Sequence, residues 1–143
     1  MIHVVAGALF DAQGRVLIAQ RPPGRPLAGE WEFPGGKLAA DEEAYAGLVR
    51  ELREELGIDV LEAGPLIAYT HDYPGKRVYL DLWRVIRFHH EPRSLEGQTL
   101  RWVALTELPH AQLLEADRPM VDALLAWRGE VARGTDGSEA TDV

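Results

Sequence analysis

The sequence predicts a single α/β domain, and three observations carry that reading. The chain has 143 residues, which is room for one ordinary domain. Short apolar runs bounded by Gly, Pro and Asp recur along it, as β-strands do. One strong amphipathic helical pattern interrupts those runs, and a second helical segment follows them.

In chain order, residues 2–10 form an apolar strand. Asp11 to Gly14 supply turn chemistry, and 15–20 return as the second arm of a hairpin. Pro22 to Gly29 is a loop, because Pro22-Pro23-Gly24-Arg25-Pro26 fits neither a helix nor a central strand. Trp31-Glu32-Phe33 is a short extended piece that ends at Pro34-Gly35-Gly36. Residues 42–56 form the main helix, with Asp41 as N-cap and Gly57 as stop. Strands are expected over 60–69, with an irregularity at Gly64-Pro65, over 77–88 and over 98–104. A turn over 73–76 joins the first two of these strands. Thr106 caps a short helical turn ending at Pro109, and Pro119 to Trp127 is the last helix. Residues 129–143 are polar, acidic and without apolar periodicity, so the domain is expected to span 1–128 and the tail to be disordered.

Composition narrows the function. Hydrophobic residues make up 46% and charged residues 27%, the balance of a globule that buries a core. The absence of cysteine excludes disulfide scaffolds, thiol nucleophiles and zinc fingers. A net charge of −8 argues against direct nucleic-acid binding, which needs clustered cations. It does not exclude a phosphorylated small molecule bridged by a divalent metal. No basic start precedes the first apolar run, and no run is long enough to span a bilayer. A cytoplasmic monomer with no membrane association is expected.

The informative stretch is 36–58, GKLAADEEAYAGLVRELREELGI. At about 100° per residue, Tyr45, Leu48, Val49, Leu52 and Leu56 share one face, which packs on the sheet. Glu51, Glu54 and Glu55 stand at i, i+3 and i+4 on another. Three carboxylates on one face either point into water or bind a hard cation. Arg50, one turn before Glu54, can pair with it.

The spacing decides between those alternatives. Gly36, five residues, Glu42, seven residues, Arg50-Glu51-Leu52, one residue, Glu54-Glu55, one residue, Gly57-Ile58 fills every fixed position of the Nudix box. The chain resembles the Nudix hydrolases, in their MutT-like branch. Gln20-Arg21, Trp31 to Lys37, His71 to Pro74, Glu96-Gly97-Gln98 and Ala116 to Pro119 extend the likeness over about residues 2–128. The resemblance implies an α/β/α sandwich around a mixed sheet. It also implies Mg²⁺-dependent hydrolysis of a nucleoside triphosphate to monophosphate and pyrophosphate, with Mn²⁺ as a substitute ion and attack at the β-phosphorus. Glu51, Glu54, Glu55, Glu96 and the Gly35 carbonyl would be metal ligands. Arg50 and Lys37 would be cationic supports, and Glu51 the favoured general base, with Glu54 and Glu96 as rivals. Glu42 is expected to stabilise the helix N-terminus.

By the same resemblance Arg21, Phe33, Val78 and Asp117 would face the nucleobase. Asp117 departs from the branch that cleanses 8-oxo-dGTP from the nucleotide pool and so prevents mutagenic incorporation during DNA replication. That branch tends to carry Asn here, which both accepts and donates. An ionised Asp only accepts, which suits a cytosine amino group, whereas a protonated Asp would restore the oxidised-guanine pattern. The tract His71-Asp72-Tyr73-Pro74 with Glu96-Gly97-Gln98 pulls back toward the MutT-like branch, so the reading is 8-oxo-dGTP, with CTP or 5-methyl-dCTP as the alternative. A non-catalytic binding module of the same fold would have lost a box glutamate, and this chain has lost none. A purely structural domain would need the spacing to be accidental.

Overall fold

The computed structural model describes residues 1–135. Two sheets form the middle of the molecule. The first runs in the order β4 (Gly35–Lys37), β1 (Ile2–Leu9), β6 (Lys76–His89), β5 (Asp59–Tyr73). Its β1–β6 pairing is parallel and the others antiparallel, so it is mixed. The second is antiparallel, in the order β3 (Trp31–Glu32), β2 (Val16–Gln20), β7 (Thr99–Val103). Helix α1 (Ala44–Leu56) packs on one side. Helix α2 (Arg118–Thr135) and a 3-10 turn at Leu105–His110 pack on the other.

Alternation along β1 builds both cores. Val5 and Leu9 meet Leu48, Leu52 and Leu56 of α1, while Ala6 and Ala8 face Leu80, Leu82, Met120 and Leu124. Each fully buried leucine of α1 contributes roughly 1.5–3 kcal/mol through apolar burial. This is the expected α/β/α sandwich, with the helical face predicted from spacing. Tyr45, at the edge of that face, stays exposed and leans on Trp83 instead.

Several local expectations are corrected. β1 and β2 do not pair as a hairpin, because both edges of β1 are taken by β4 and β6. Just past β1, an isolated Phe10–Val16 bridge joins the two segments, at a turn held by the Asp11 side chain. Gly35-Gly36 does not end a strand but forms one. A Cβ on Gly35 would overlap the Val5 carbonyl and lie 2.6 Å from Ala6 Cα, so only glycine lets β4 approach β1. Helix α1 starts at Ala44 with Glu43 as N-cap, not Asp41, which adopts a left-handed φ of 65°. Gly57 stops it as expected, with φ 70° and its N–H donated to the Arg53 carbonyl. β5 and β6 run to a tighter turn than expected, with bulges around Glu62 and Pro65. The 3-10 turn is capped by Ala104 rather than Thr106. Helix α2 continues through Thr135, so the first part of the supposed disordered tail is helical. Residues 136–143 lie outside the described residues.

Gly35→Ala should lower the free energy of unfolding by about 1–3 kcal/mol, because its Cβ meets backbone that cannot rotate away. Urea denaturation checks this. An unchanged midpoint would mean that β4 is not held against β1 as described.

Candidate active site

The site begins with one guanidinium. Arg50 Nε and Nη2 donate to the two oxygens of Glu42 at 2.8 and 2.9 Å. Its Nη1 donates to Glu51 at 3.0 Å and Glu54 at 3.3 Å, and Nη2 also reaches the Lys37 carbonyl at 3.1 Å. Glu42 is thus not a helix-terminal charge, as the sequence suggested. It is the fork-on-fork partner of Arg50, and it also accepts the Ala39 N–H at 2.8 Å. The Arg50 hydrogen bonds hold its carboxyl down at about 2.

The three box glutamates then occupy different surroundings. Glu54 remains half-exposed. The Glu51 carboxylate lies over Gly36, where a Cβ would collide with it. Burial raises its pKa against the opposing pull of Arg50. Glu55 turns inward and accepts the Gly35 N–H at 3.2 Å. Burial first, and then the charges of Glu51, Glu96 and Glu32, push its carboxyl up to about 8.

Glu96 comes from a different part of the chain. Its loop is sewn to the end of α1: Leu95 N–H donates to the Glu55 carbonyl, and Gln98 Nε2 donates to the same carbonyl at 3.3 Å. Gln98 Oε1 in turn accepts the Glu96 N–H at 2.9 Å. The structure therefore gives Glu96 a place beside the cluster and gives Gln98 a bracing role that its residue type alone did not disclose.

The donor set of Glu51, Glu54, Glu55, Glu96 and the Gly35 carbonyl consists of hard oxygens only. A crowded, partly desolvated group of carboxyls of this kind suits a hard divalent cation. In the arrangement described, Arg50 engages Glu51 and Glu54, and among the described residues no three acidic or histidine side chains are gathered at ion-binding spacing.

A cavity of about 430 Å³ opens beside this cluster. Gly35, Lys37, Glu55 and Glu96 line one part of it, and Arg21, Phe33, Val78 and Asp117 line it as well. Arg50, Glu51 and Glu54 stand outside that lining. Phe33 and Val78 are buried, as apolar walls must be. Arg21 does not point freely at a ligand: its guanidinium holds Glu32 at 3.1 Å and the Pro26 carbonyl at 3.0 Å. Asp117 ends a 3-10 turn just before α2, and its carboxyl accepts the Phe33 N–H at 3.3 Å. Burial, with the Glu32 charge behind it, pushes Asp117 up to about 7. Sequence reasoning overlooked Glu32, whose own carboxyl is raised by burial and restrained by Arg21. Its place on β3, opposite Ala19, was the available signal: a charged residue between two buried aromatics.

A profile of the NUDIX domain matches residues 5–123. Among curated proteins, the chain is 40% identical over 128 residues to a CTP pyrophosphohydrolase of Escherichia coli, covering 90% of this chain and 94% of that one. It is 40% identical over 96 residues to an 8-oxo-dGTP diphosphatase of Proteus vulgaris, covering 67% and 86%. Among solved structures, the Escherichia coli ORF135 protein superposes with a TM-score of 0.82 at 39% identity, with 95% of each chain covered. A MutT structure from a study of Aliivibrio salmonicida and Vibrio cholerae gives 0.77 at 35% identity, covering 88% of this chain and 98% of that one.

The burial of Asp117 has a pH consequence. Its folded-state pKa is raised from 3.8 to about 7, so the native state holds a proton that the unfolded chain releases. The stability this confers is lost as pH rises across that window. Asp117→Asn removes the titration, so its stability relative to the wild type should rise between about pH 5 and pH 8. Paired urea melts at the two pH values check the sign, and a difference that is flat or falls with pH would contradict the buried, protonated carboxyl.

Proposed function

The chain belongs to the Nudix family, in its MutT-like branch, and from that premise we propose that it hydrolyses 8-oxo-dGTP to the monophosphate and pyrophosphate, using Mg²⁺ or, in its place, Mn²⁺. The observation that supports the substrate reading is the Asp117 carboxyl at the cavity wall, which burial pushes up to about 7 so that its protonated form is accessible near neutrality. A protonated carboxyl both donates and accepts, so it can meet O6 and the N7–H of 8-oxoguanine together. An ionised Asp117 could still accept the N7–H but would set a lone pair against O6.

Within this reading the base lies against Phe33 and Val78, and the triphosphate extends toward Lys37, Glu55 and Glu96. When bound, the divalent metal neutralises phosphate charge and supplies Lewis acidity. Glu51, Glu54, Glu55, Glu96 and the Gly35 carbonyl would hold it. Arg50 fixes Glu51 and Glu54 through Nη1 and is itself anchored by Glu42. Lys37 faces the cavity beside Gly36 and offers a cation to the phosphates. Glu51 accepts the proton of the attacking water: burial raises its basicity, and the Arg50 guanidinium opposes that rise. The enzyme works as a monomer in the cytoplasm, without direct contact with nucleic acid or membrane. No helix among the described residues is long and apolar enough to cross a membrane.

The second reading is a CTP or 5-methyl-dCTP pyrophosphohydrolase, favoured by the match to the Escherichia coli CTP pyrophosphohydrolase over nearly the whole chain. Here Asp117 would accept from the exocyclic amine of cytosine.

Two expectations test the proposal. Glu54→Gln and Glu55→Gln should remain folded and lose about 10²–10⁴-fold in kcat, since neither side chain belongs to the apolar core. Folded Glu54→Gln with near-normal turnover would sink the metal-site assignment. Asp117→Asn should keep or raise kcat/KM for 8-oxo-dGTP if oxidised guanine is the substrate. If a cytidine nucleotide is, kcat/KM for CTP should fall about tenfold, the scale of a lost buried hydrogen bond. Assays of both substrates with Mg²⁺, with EDTA as control, distinguish the readings.

A further inference from the structure

The acids of the site come from two parts of the chain, and one side chain ties them together. Helix α1 ends in carbonyls that have no partner inside the helix. The loop over 93–98 supplies their donors: Arg93 N–H to the Leu56 carbonyl at 2.9 Å, and Leu95 N–H to the Glu55 carbonyl at 3.1 Å. Gln98 completes the join with its side chain. Its Nε2 donates to the Glu55 carbonyl at 3.3 Å, and its Oε1 accepts the Glu96 N–H at 2.9 Å. The two ends of one amide thus hold the main chain of Glu55 and of Glu96, whose carboxyls both belong to the donor set described above.

That amide is fixed in its turn. Gln98 is 9% exposed, just before β7. The Ser94 hydroxyl lies between the Gln98 main-chain carbonyl and its Oε1, 2.9 Å from the latter. Donors therefore face one end of the amide and a carbonyl the other, and a single orientation of the side chain satisfies both. Gly97, at φ 81°, turns the chain tightly enough for Gln98 to reach back to the Glu96 N–H. Glu96 itself is exposed and lines the cavity, so the place of its carboxylate follows from how its backbone is held. It repels Glu51 and Glu55 across the site, and an untethered loop would swing away from them.

We infer that Gln98 is a positioning residue that sets the affinity for the divalent ion, by presenting the Glu96 carboxylate to the same ion that Glu55 meets. The inference rests on the metal-dependent reading above and deepens it. A tether of neutral hydrogen bonds adds no charge to the cluster. Without it the ion itself would have to order the loop, and that entropy would be lost from its binding. Partners that hold the ligands of a metal commonly govern about 10–100-fold in affinity.

The test is binding of Mn²⁺ to the nucleotide-free protein, read from the free-ion signal by electron paramagnetic resonance, with Tm as the check on folding. Gln98→Met keeps length and volume but drops both hydrogen bonds, and should weaken Mn²⁺ binding about tenfold. Ser94→Ala, a change at an exposed position, should shift Kd the same way by a smaller factor. Glu96→Gln should also weaken binding. Gln98→Met added to it should cost nothing further, because the carboxylate that Gln98 presents is already gone. In turnover of 8-oxo-dGTP or CTP, Gln98→Met should need about tenfold more Mg²⁺ for half-maximal rate, with KM for the nucleotide at saturating metal unchanged. Unchanged Mn²⁺ affinity in folded Gln98→Met overturns the inference, and if that variant does not fold, unchanged affinity in Ser94→Ala does so. Losses that add fully to those of Glu96→Gln overturn it as well, since they mean a general loosening of the fold. A raised nucleotide KM with normal Mn²⁺ affinity would mark an amide that touches substrate directly, and is equally contrary. A wild type that binds no Mn²⁺ and hydrolyses neither triphosphate overturns the function proposed above instead.

Discussion

Arg50 sits among acceptors from separate pieces of the chain: Glu42 in the loop before α1, Glu51 and Glu54 on α1, and the Lys37 carbonyl on β4. A guanidinium presents its donors in a rigid plane, so satisfying all of these at once fixes how the glycine strand and the helix face one another. The rest of the site inherits that constraint. With β4 pinned, Gly36 must lie beneath the Glu51 carboxylate, and Gly35 can offer its N–H to Glu55. Lysine could not replace Arg50, since its point charge lacks the fork that engages both Glu42 oxygens.

This arrangement explains why carboxyls can be concentrated without unfolding the helix. Glu42 and Arg50 neutralise each other where solvent screens them, while Glu55 turns inward onto the Gly35 N–H, where burial and the neighbouring acids raise its pKa. The Glu96 loop adds another acid to the neighbourhood, through backbone and Gln98 hydrogen bonds that cost no charge. The molecule thus stores electrostatic repulsion in one corner and holds it there with neutral bonds and one cation. Such a corner gains most from a divalent ion.

Legibility in the sequence followed the range of the interaction. The box was plain because its spacing is local: Arg50, Glu51, Glu54 and Glu55 occupy successive turns of one helix. The packing of Leu48, Leu52 and Leu56 was equally plain, by the same periodicity. The partner of Arg50 was not, because Glu42 reaches it only once a loop has folded back over the helix start, which also displaces the cap from Asp41 to Glu43. The failed β1–β2 hairpin has the same cause: a turn can be read from Asp11 to Gly14, but the competition of β4 and β6 for the edges of β1 cannot. Glu32 escaped notice because its neighbours in the cavity, Arg21 and Asp117, come from other elements.

The substrate question turns on the same distinction between local and tertiary information. Asp117 read from sequence is an acceptor, and an acceptor alone favours cytosine. Folding changes its chemistry: burial and the nearby Glu32 charge push its carboxyl up to about 7, against the pull of the Phe33 N–H toward the ionised form, so a protonated side chain that can donate becomes accessible near neutrality. Under the proposed reading, the residue type is then a poor guide to the base, because a protonated Asp can carry out the work of an Asn. Two nearly identical cavities could select different bases by altering only how deeply that carboxyl is buried or how close a second acid lies. Under the proposed reading, specificity in this chain resides in the dielectric around Asp117 as much as in the side chain itself.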